Sequence, residues 1–254
     1  MTDHGRIEPA AAAAPGQPDD DDQHAHEQHF LALARRLNWL RAGVLGANDG
    51  IISTAGLVVG VAGATSERSP VLIAGLAGLF AGALSMAGGE FTSVSTQRDT
   101  EQAALDKERW ELKHLPEQEL AELTELYRDR GLKPDLAQEV AIALTKHDAL
   151  AAHAEVELGI DPDRRTSPWH AAWASMVAFT AGAVLPLLAI VLPPASLRVP
   201  VTMVAVTVAL VLTGVVSAQL AGSRTGPAVA RNVGIGLLAM GVTFAVGALV
   251  GGVV

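Results

Sequence analysis

Two pairs of glutamates stand close together in the middle of the chain and could bind a cation. Glu108 precedes Glu111 by three residues and Glu119 precedes Glu122 by three, so each pair shares one face of a helix. Pro116 lies between the pairs and permits a turn that would bring them together. Four converging carboxylates repel one another unless cations lie between them, and oxygen ligands suit divalent metals. A solvated acidic surface is the competing interpretation, and spacing alone favours it.

A histidine and a glutamate further along the chain could extend this cluster. His153 and Glu157 are four residues apart, which places an imidazole and a carboxylate on one helical face. Glu111 and His114 also match the Glu-x-x-His motif of di-iron carboxylate bundles, but those bundles need a second motif, which the sequence lacks. A di-iron oxidase therefore has little support.

Two further carboxylates lie in segments that are otherwise almost entirely apolar. Asp49 in "GANDGIIS" and Glu90 in "MAGGEFTS" are the carboxylates inside the apolar segments that are predicted below to span a membrane. Such a group costs at least about 2.5–3.5 kcal/mol in a bilayer, so it usually faces a pathway or a partner. Asp49 and Met86 each lie about nine or ten residues from the same membrane surface, which is a depth of about 14–15 Å. A carboxylate with a thioether suits a transition metal.

Simpler roles are open for the same residues. Met86 could pack in the core, and Asp49 could be a structural, hydrogen-bonded acid. Asn48, Ser53 and Ser85 could add oxygen ligands or hydrogen bonds nearby. The sequence does not decide which of them do.

The elements that must position these residues follow from the hydropathy pattern. Half the residues are apolar, yet 18 % are charged, and the two classes are segregated along the chain. A spanning helix needs about 20 mostly apolar residues. Five segments qualify, at about 39–64, 70–95, 169–192, 198–222 and 227–253. The sequence therefore predicts an all-α membrane protein with five transmembrane helices and a polar insert between spans two and three.

We divide the chain into four parts on this basis. They are a disordered acidic, His-containing tail (1–35), transmembrane helices 1–2 (36–95), a cytoplasmic helical metal-binding domain (96–168) and transmembrane helices 3–5 (169–254). The insert is predicted to form three helices, because one helix continues from the second span, a second begins at Pro116 and a third begins at Pro134. Gly131 and Gly159 are the predicted ends of the last two.

Charge gives the orientation and excludes some partners. All but two of the 18 Lys and Arg residues, Arg68 and Arg198, fall on the side of the N-terminus and the insert. Positive charge is retained in the cytoplasm, so the N-terminus and the insert are predicted to be cytoplasmic. The net charge of −9 argues against nucleic-acid binding. Cysteine is absent, so any metal must bind oxygen, nitrogen or thioether ligands.

The N-terminal tail carries a histidine motif, "HAHEQH", after four aspartates. His24, His26 and His29 could gather metal weakly, but a disordered polar tail is the favoured interpretation. The tail lacks the succession of basic, apolar and small residues that marks a signal peptide. Ala/Arg-rich usage favours a bacterial inner membrane.

Three blocks carry a resemblance to a known family: "NDGIISTAGLVVGVAGA", "SMAGGEFTSVSTQRDTE" and "HDALAAHAEVELGID". With the acidic insert between them, the chain resembles the vacuolar iron transporter family from about Leu37 to its C-terminus. The resemblance implies a homodimer that exchanges Fe²⁺ or Mn²⁺ for protons through a path between protomers.

The resemblance also implies roles for particular residues. The family's transmembrane metal site has an aspartate and a methionine, which match Asp49 and Met86. Its cytoplasmic glutamates match Glu108, Glu111, Glu119, Glu122 and Glu157. Plant members carry two adjacent methionines where this chain has His153 and Ala154, so the thioether ligands are lost and His153 is a candidate replacement.

The expected function is therefore proton-coupled export of Fe²⁺ from the cytoplasm, with Mn²⁺ as a second candidate substrate. Glu90 is a candidate relay for protons or metal. No permanently bound cofactor and no enzymatic activity are expected, and the partners are the lipid bilayer, a second protomer, metal ions and protons. The alternative is a membrane-anchored iron sensor or storage module that does not transport.

Overall fold

The computed structural model describes residues 43–161 and 166–252. Within these residues the chain is helical and contains no strand. The helices are α1 (Gly43–Ala64), α2 (Arg68–His114), α3 (Pro116–Asp129), α4 (Pro134–His153), α5 (Pro168–Val191), α6 (Arg198–Leu220) and α7 (Thr225–Gly251). A π-helical turn at Ala154–Leu158 follows α4, and a short 3₁₀ turn at Ala195–Leu197 precedes α6.

Within the described ranges, five helices are long and apolar enough to cross a membrane: α1, α2, α5, α6 with its preceding 3₁₀ turn, and α7. The predicted all-α, five-span membrane fold is confirmed. The start of the first predicted span, at 39–42, lies outside the described residues.

The membrane helices share one apolar core, which includes Val58, Val71, Phe179, Ile190 and Leu210. Small residues let two of these helices approach closely. A Cβ atom on Gly50 would collide with the carbonyl oxygen of Phe179, and one on Gly182 would collide with that of Ala47. The α1 and α5 backbones therefore touch directly.

The second span continues as the same helix into the insert. α2 is one helix of 47 residues, about 70 Å long, and its last turns belong to the insert. α3 and α4 each begin with a proline, Pro116 and Pro134, whose fixed φ suits the first turn. Leu123 and Ala141 are fully buried where these two helices pack.

The third insert helix differs from the prediction of one helix running from Pro134 to Gly159. Asp148 has non-helical angles (φ −158°, ψ 97°), and its Oδ1 accepts a hydrogen bond from Ala151 N at 2.9 Å. Asp148 thus interrupts α4 and caps the segment after it. Gly159, at φ 65°, ends the π-helical turn in the left-handed conformation that glycine adopts most readily.

Candidate metal centre

Each part of the insert contributes one side chain to a compact cluster. Glu108 comes from α2, Glu119 from α3, His153 from the end of α4 and Glu157 from the π-helical turn. One ligand atom from each residue lies within 4.8 Å of the others. Residues separated by up to 49 positions in sequence therefore form one potential coordination sphere.

The imidazole of His153 stands at the centre of this cluster. Its Nδ1 atom lies 3.0 Å from Glu108 Oε1, 3.5 Å from Glu157 Oε2 and 3.6 Å from Glu119 Oε2. Although these atoms are close, neither Nδ1 of His153 nor Oε1 of Glu108 has a hydrogen-bond partner of good geometry among the described residues. The ligand atoms converge on a common region and are not paired off by directed hydrogen bonds.

Burial makes this arrangement costly without a cation. His153 is 0 %, Glu108 2 % and Glu119 5 % exposed, whereas Glu157 reaches the surface. Glutamates are almost never buried this far unless they are paired or coordinate a metal. A divalent ion would neutralise the carboxylates and satisfy the imidazole nitrogen at once.

The cluster shifts the acidity of its own members. Burial, together with the charges of Glu157 and Glu119, raises the pKa of Glu108 to about 7. Burial also raises the pKa of Glu119, and Glu122 adds to this shift while His153 opposes it. A proton and a metal ion would therefore compete for the same oxygens near neutral pH.

Two of the predicted ligands lie beside the cluster. Glu111 pairs with Lys107 at 2.9 Å, and Glu122 is exposed. Both acids raise the pKa of Glu108 through their charge, so they lie close enough to add to its negative potential. The expected six-residue set is therefore four converging ligands and two flanking acids.

The π-helical turn that supplies Glu157 is held by the residue that follows α3. The guanidinium of Arg130 donates a hydrogen bond to the carbonyl oxygen of Val156 at 2.8 Å. Single π-helical turns occur often at functional sites. No periodic pattern indicates this turn, and an arginine that binds a backbone carbonyl cannot be recognised from spacing.

The membrane residues are arranged differently. Asp49 is exposed on α1, in a stripe of exposed residues spaced by four: Leu45, Asp49, Ser53 and Leu57. The Ser53 hydroxyl donates to the backbone carbonyl oxygen of Asp49 at 2.7 Å. No hydrogen bond or ion pair joins the Asp49 carboxylate to another described residue. This carboxylate points out of the protomer.

Met86 lies at the depth of Asp49 on the neighbouring helix. Gly75 lies against Val58 and Gly78 against Leu57, so α1 and α2 run antiparallel. Two turns further along, this register brings Met86 level with Asp49. The Met86 side chain is half-buried against the apolar membrane core.

Asn48 is turned away from Asp49 into the helix bundle. Its Oδ1 accepts hydrogen bonds from Thr213 Oγ1 at 3.1 Å and from Asn232 Nδ2 at 3.4 Å. These bonds join α1 to α6 and α7, while Ser85 is exposed on α2. Sequence analysis missed Thr213 and Asn232, although an asparagine inside a predicted span is itself a signal for a polar contact.

A line of polar side chains connects the two regions along α2. Glu90 and Glu108 are 18 residues apart, which is five full turns, so they share one face about 27 Å apart. Gln97 and Glu101 lie within about 20° of that face and are joined by a 2.8 Å hydrogen bond. Glu90 is partly exposed at the membrane end of this line.

The candidate metal-binding histidines of the N-terminal tail, His24, His26 and His29, lie outside the described residues. Arg164 and Arg165, which contributed to the predicted orientation, also lie outside them.

Fold and cluster together define a class: a five-span membrane protein whose helical insert carries a buried carboxylate–imidazole centre. A model of the VIT family matches residues 40–248, and the chain belongs to this family.

Several curated proteins are similar to this chain. A vacuolar iron transporter of Acanthamoeba castellanii is 50 % identical over 162 residues, which are 64 % of this chain and 59 % of the relative. The chain thus spans less than two thirds of that relative. Vacuolar iron transporter homolog 5 of Oryza sativa subsp. japonica is 38 % identical over 84 % of this chain and 81 % of the relative. Vacuolar iron transporter homolog 2.1 of Arabidopsis thaliana is 34 % identical over 89 % and 87 %.

Proposed function

We propose that this protein carries Fe²⁺ out of the cytoplasm, with Mn²⁺ as a second substrate. The observation that carries the proposal is the four-ligand cluster at the far end of α2, the helix that also brings Met86 and Glu90 into the membrane. Relatives named as vacuolar iron transporters support iron as cargo. Their names describe transporters, so the chain is not an enzyme.

The insert captures the metal. Three carboxylates and one imidazole are hard to borderline ligands, which suit Fe²⁺ and Mn²⁺. Glu111 and Glu122 add negative charge beside the centre and raise the local concentration of cations. His153 takes the place of a thioether ligand, and the metal is bound as cargo, not as a resident cofactor.

Passage begins along the polar face of α2. Metal leaving the cluster near Glu108 meets Glu101 and Glu90 on the same helical face before it reaches the level of Met86 and Asp49. At that level a carboxylate and a thioether together suit a transition metal. Glu90 relays protons or metal at the membrane entrance.

A second protomer completes the membrane site. An outward carboxylate at mid-depth would cost at least about 2.5–3.5 kcal/mol in contact with lipid. Packing of two α1 faces against each other would remove Asp49 from lipid and enclose a path between the protomers. The exposed stripe that contains Asp49 and Ser53 supports a homodimer with this interface.

Proton exchange follows from the chemistry of the ligands. A carboxylate must lose its proton to bind metal and can regain one when metal leaves. The pKa of Glu108, raised to about 7, allows this exchange at the pH of a cytoplasm. Transport therefore runs as metal(II)/proton antiport, with the insert on the cytoplasmic side as the Lys and Arg distribution favours.

A flux assay in proteoliposomes tests the proposal. Vesicles that contain the full chain receive Fe²⁺, Mn²⁺, Zn²⁺ or Co²⁺ under an imposed pH gradient, and internal metal and pH are followed with dyes. We expect Fe²⁺ uptake coupled to proton movement, with Mn²⁺ second. Ser223→Ala, which changes an exposed residue between α6 and α7, is the control and should transport normally.

Two other functions predict different results. A membrane-anchored iron sensor or storage module would bind metal through the insert, yet show no flux and no effect of Asp49→Ala. A di-iron oxidase would consume oxygen with Fe²⁺, and mutation of Glu111 or His114 would abolish that consumption. Either result would reject the transport assignment.

The membrane that holds the protein is a separate proposal. Ala/Arg-rich usage favours a bacterial inner membrane, with the N-terminus in the cytoplasm. The relatives come from an amoeba and plants, and their names say vacuolar. Membrane fractionation of the native host distinguishes a bacterial inner membrane from a vacuolar membrane.

A further inference from the structure

The seam between α2 and α5 contains two cavities that the transport proposal does not use. One, of about 620 Å³, lies among apolar side chains in the spans. The other, of about 440 Å³, lies where α2 leaves the predicted membrane and α5 begins. The two cavities follow one another along the same helix pair.

The deeper cavity has an apolar, exposed wall. Phe80 and Leu84 of α2 are 64 % and 66 % exposed, and Val177 of α5 is 60 % exposed. Ala181 leaves space between them because its side chain is small. A wall of this composition suits a hydrocarbon chain.

The outer cavity has a different chemistry. Phe91 and Trp169 pack with ring centroids 4.8 Å apart, as aromatic residues do at a membrane surface. Arg98 and Asp99 line the same cavity, and neither forms an ion pair with another described residue. One cationic and one anionic side chain are thus available to a ligand that carries both charges.

The start of α5 adds a third feature to this end of the seam. α5 begins at Pro168, and Ser167 at its N-cap makes no side-chain capping hydrogen bond. Pro168 has no N–H and the N–H of Ala171 donates to the carbonyl oxygen of Ser167, so the N–H groups of Trp169 and His170 remain available to an anion, and the helix dipole favours negative charge there.

The spacing of the two cavities fits one leaflet. Leu84 and Ser95 are eleven residues apart on α2, which is about 16 Å along the helix. Half of a bilayer with its headgroups is about 20–22 Å thick. A single lipid molecule can therefore reach both cavities, with its chains in one and its headgroup in the other.

We propose that this seam binds one phospholipid with a zwitterionic headgroup that carries a primary ammonium group, as ethanolamine does. Arg98 and the α5 N-terminus bind the phosphate, Asp99 accepts hydrogen bonds from the ammonium group, and Trp169 packs on the glycerol region. An anionic headgroup would satisfy Arg98 but would face Asp99 with the wrong charge.

Native mass spectrometry of the full chain in detergent tests this site. The probes are phosphatidylethanolamine and phosphatidylglycerol with identical acyl chains, added in equal amounts. We expect the wild-type protein to retain phosphatidylethanolamine at least about fivefold over phosphatidylglycerol. Asp99→Asn should bring this ratio to about one, and Arg98→Ala should reduce retention of both lipids about tenfold.

Two further variants define the site. Arg231→Ala removes an exposed arginine near the start of α7 and should change neither ratio nor retention. Ala181→Phe fills the apolar cavity and should reduce retention of both lipids while the headgroup preference remains. Phosphoethanolamine without acyl chains should not compete.

Other outcomes would overturn the proposal. Equal retention of both lipids by the wild-type protein would mean that lipid binds without headgroup recognition. If Arg98→Ala, like Arg231→Ala, left lipid retention unchanged, Arg98 would not bind the phosphate. If Ala181→Phe changed the proportion of dimer in the spectrum and not lipid retention, a second protomer would occupy the seam. None of these readouts depends on metal transport.

Discussion

The two candidate metal-binding regions differ in how much of the site one protomer supplies. In the insert, four ligand atoms from three helices and a π-helical turn lie within 4.8 Å of one another, and three of the four side chains are buried. In the membrane, Asp49 is exposed on the protomer surface and Met86 lies on the next helix, half-buried in the core. One chain brings the ligands of the first region together, whereas in the proposed function the second region needs a second protomer.

This difference suggests a division of labour. A complete, buried cluster can hold an ion for some time, which suits capture. A pair of ligands at an exposed surface holds an ion weakly, which suits passage. The variants below separate these roles by asking whether each change affects flux, affinity or both.

Asp49→Asn should have the largest effect. The substitution keeps the shape of the side chain but removes its charge, and loss of one partner of a desolvated charged contact costs about 3–5 kcal/mol. We expect Fe²⁺ flux in proteoliposomes to fall more than about 100-fold, with Fe²⁺ binding by the insert unchanged. Asp135→Asn, the same substitution at an exposed aspartate in the first turn of α4, is the control. A protein that lost insert binding as well would show that the two regions are not separable.

His153→Leu should act mainly on the insert. It removes the nitrogen that lies 3.0 Å from Glu108 Oε1 and leaves three carboxylates. We expect Fe²⁺ affinity, measured by calorimetry on the full chain, to fall about 10- to 100-fold. Flux should recover at high metal concentration because Asp49 and Met86 are intact. His147→Leu, at an exposed histidine of the same helix, should bind normally, and a similar loss there would refute the assignment.

The pH dependence should come mainly from Glu108. Its pKa is raised from 4.5 to about 7, so this carboxyl is protonated below neutral pH and must lose that proton when metal binds. Insert affinity should therefore fall about tenfold for each pH unit below 7. A calorimetric series from pH 8 to pH 6 measures this change. Glu108→Gln should weaken binding and flatten the dependence, and an unaltered slope would point to another group.

The same shift has a consequence for the metal-free protein. The folded state holds a proton on Glu108 over a range, between pH 4.5 and about 7, where the unfolded chain has released it. The associated stability is present below pH 4.5 and is lost as pH rises through 7. Thermal unfolding without metal should therefore shift to lower temperature from pH 5.5 to pH 8, and less so in Glu108→Gln.

Lys107→Gln should have the smallest effect. Its ammonium group pairs with Glu111 at 2.9 Å and also lies near the charges of Glu108 and Glu157. Removal of this exposed cation should strengthen Fe²⁺ binding by the insert roughly twofold, and more at low salt than at high salt. Arg109→Gln, whose partner is Asp106, is the matched control and should not change affinity. Weaker binding in Lys107→Gln would show that the ion pair positions Glu111.

Much of the fold follows from the sequence because its strongest signals are local. Apolar length predicts the spans, and Pro116 and Pro134 predict where helices begin. The interruption at Asp148 was missed, because an aspartate in a helical pattern can be either an exposed residue or a cap. The hydrogen bond that Asp148 accepts from Ala151 N identifies it as a cap, and this bond forms only in the folded backbone.

The site was predictable in composition but not in geometry. Spacing by three places Glu108 and Glu111 on one side of a helix, with directions that differ by about 60°, and in the structure only Glu108 of the two belongs to the cluster. The same holds for Glu119 and Glu122. Spacing cannot say which helix face meets a neighbour. It likewise could not show that Asn48 turns inward while Asp49 turns out.

The length of α2 has a mechanical consequence. Met86 and Glu108 lie on one uninterrupted helix, 22 residues or about 33 Å apart, so the insert is attached to the membrane by a stiff arm and not by a linker. A tilt of about 5° around Met86 would move Glu108 sideways by about 3 Å, which is comparable to the distances between its ligand atoms. Small rocking of α2 in the bilayer is thereby magnified at the insert.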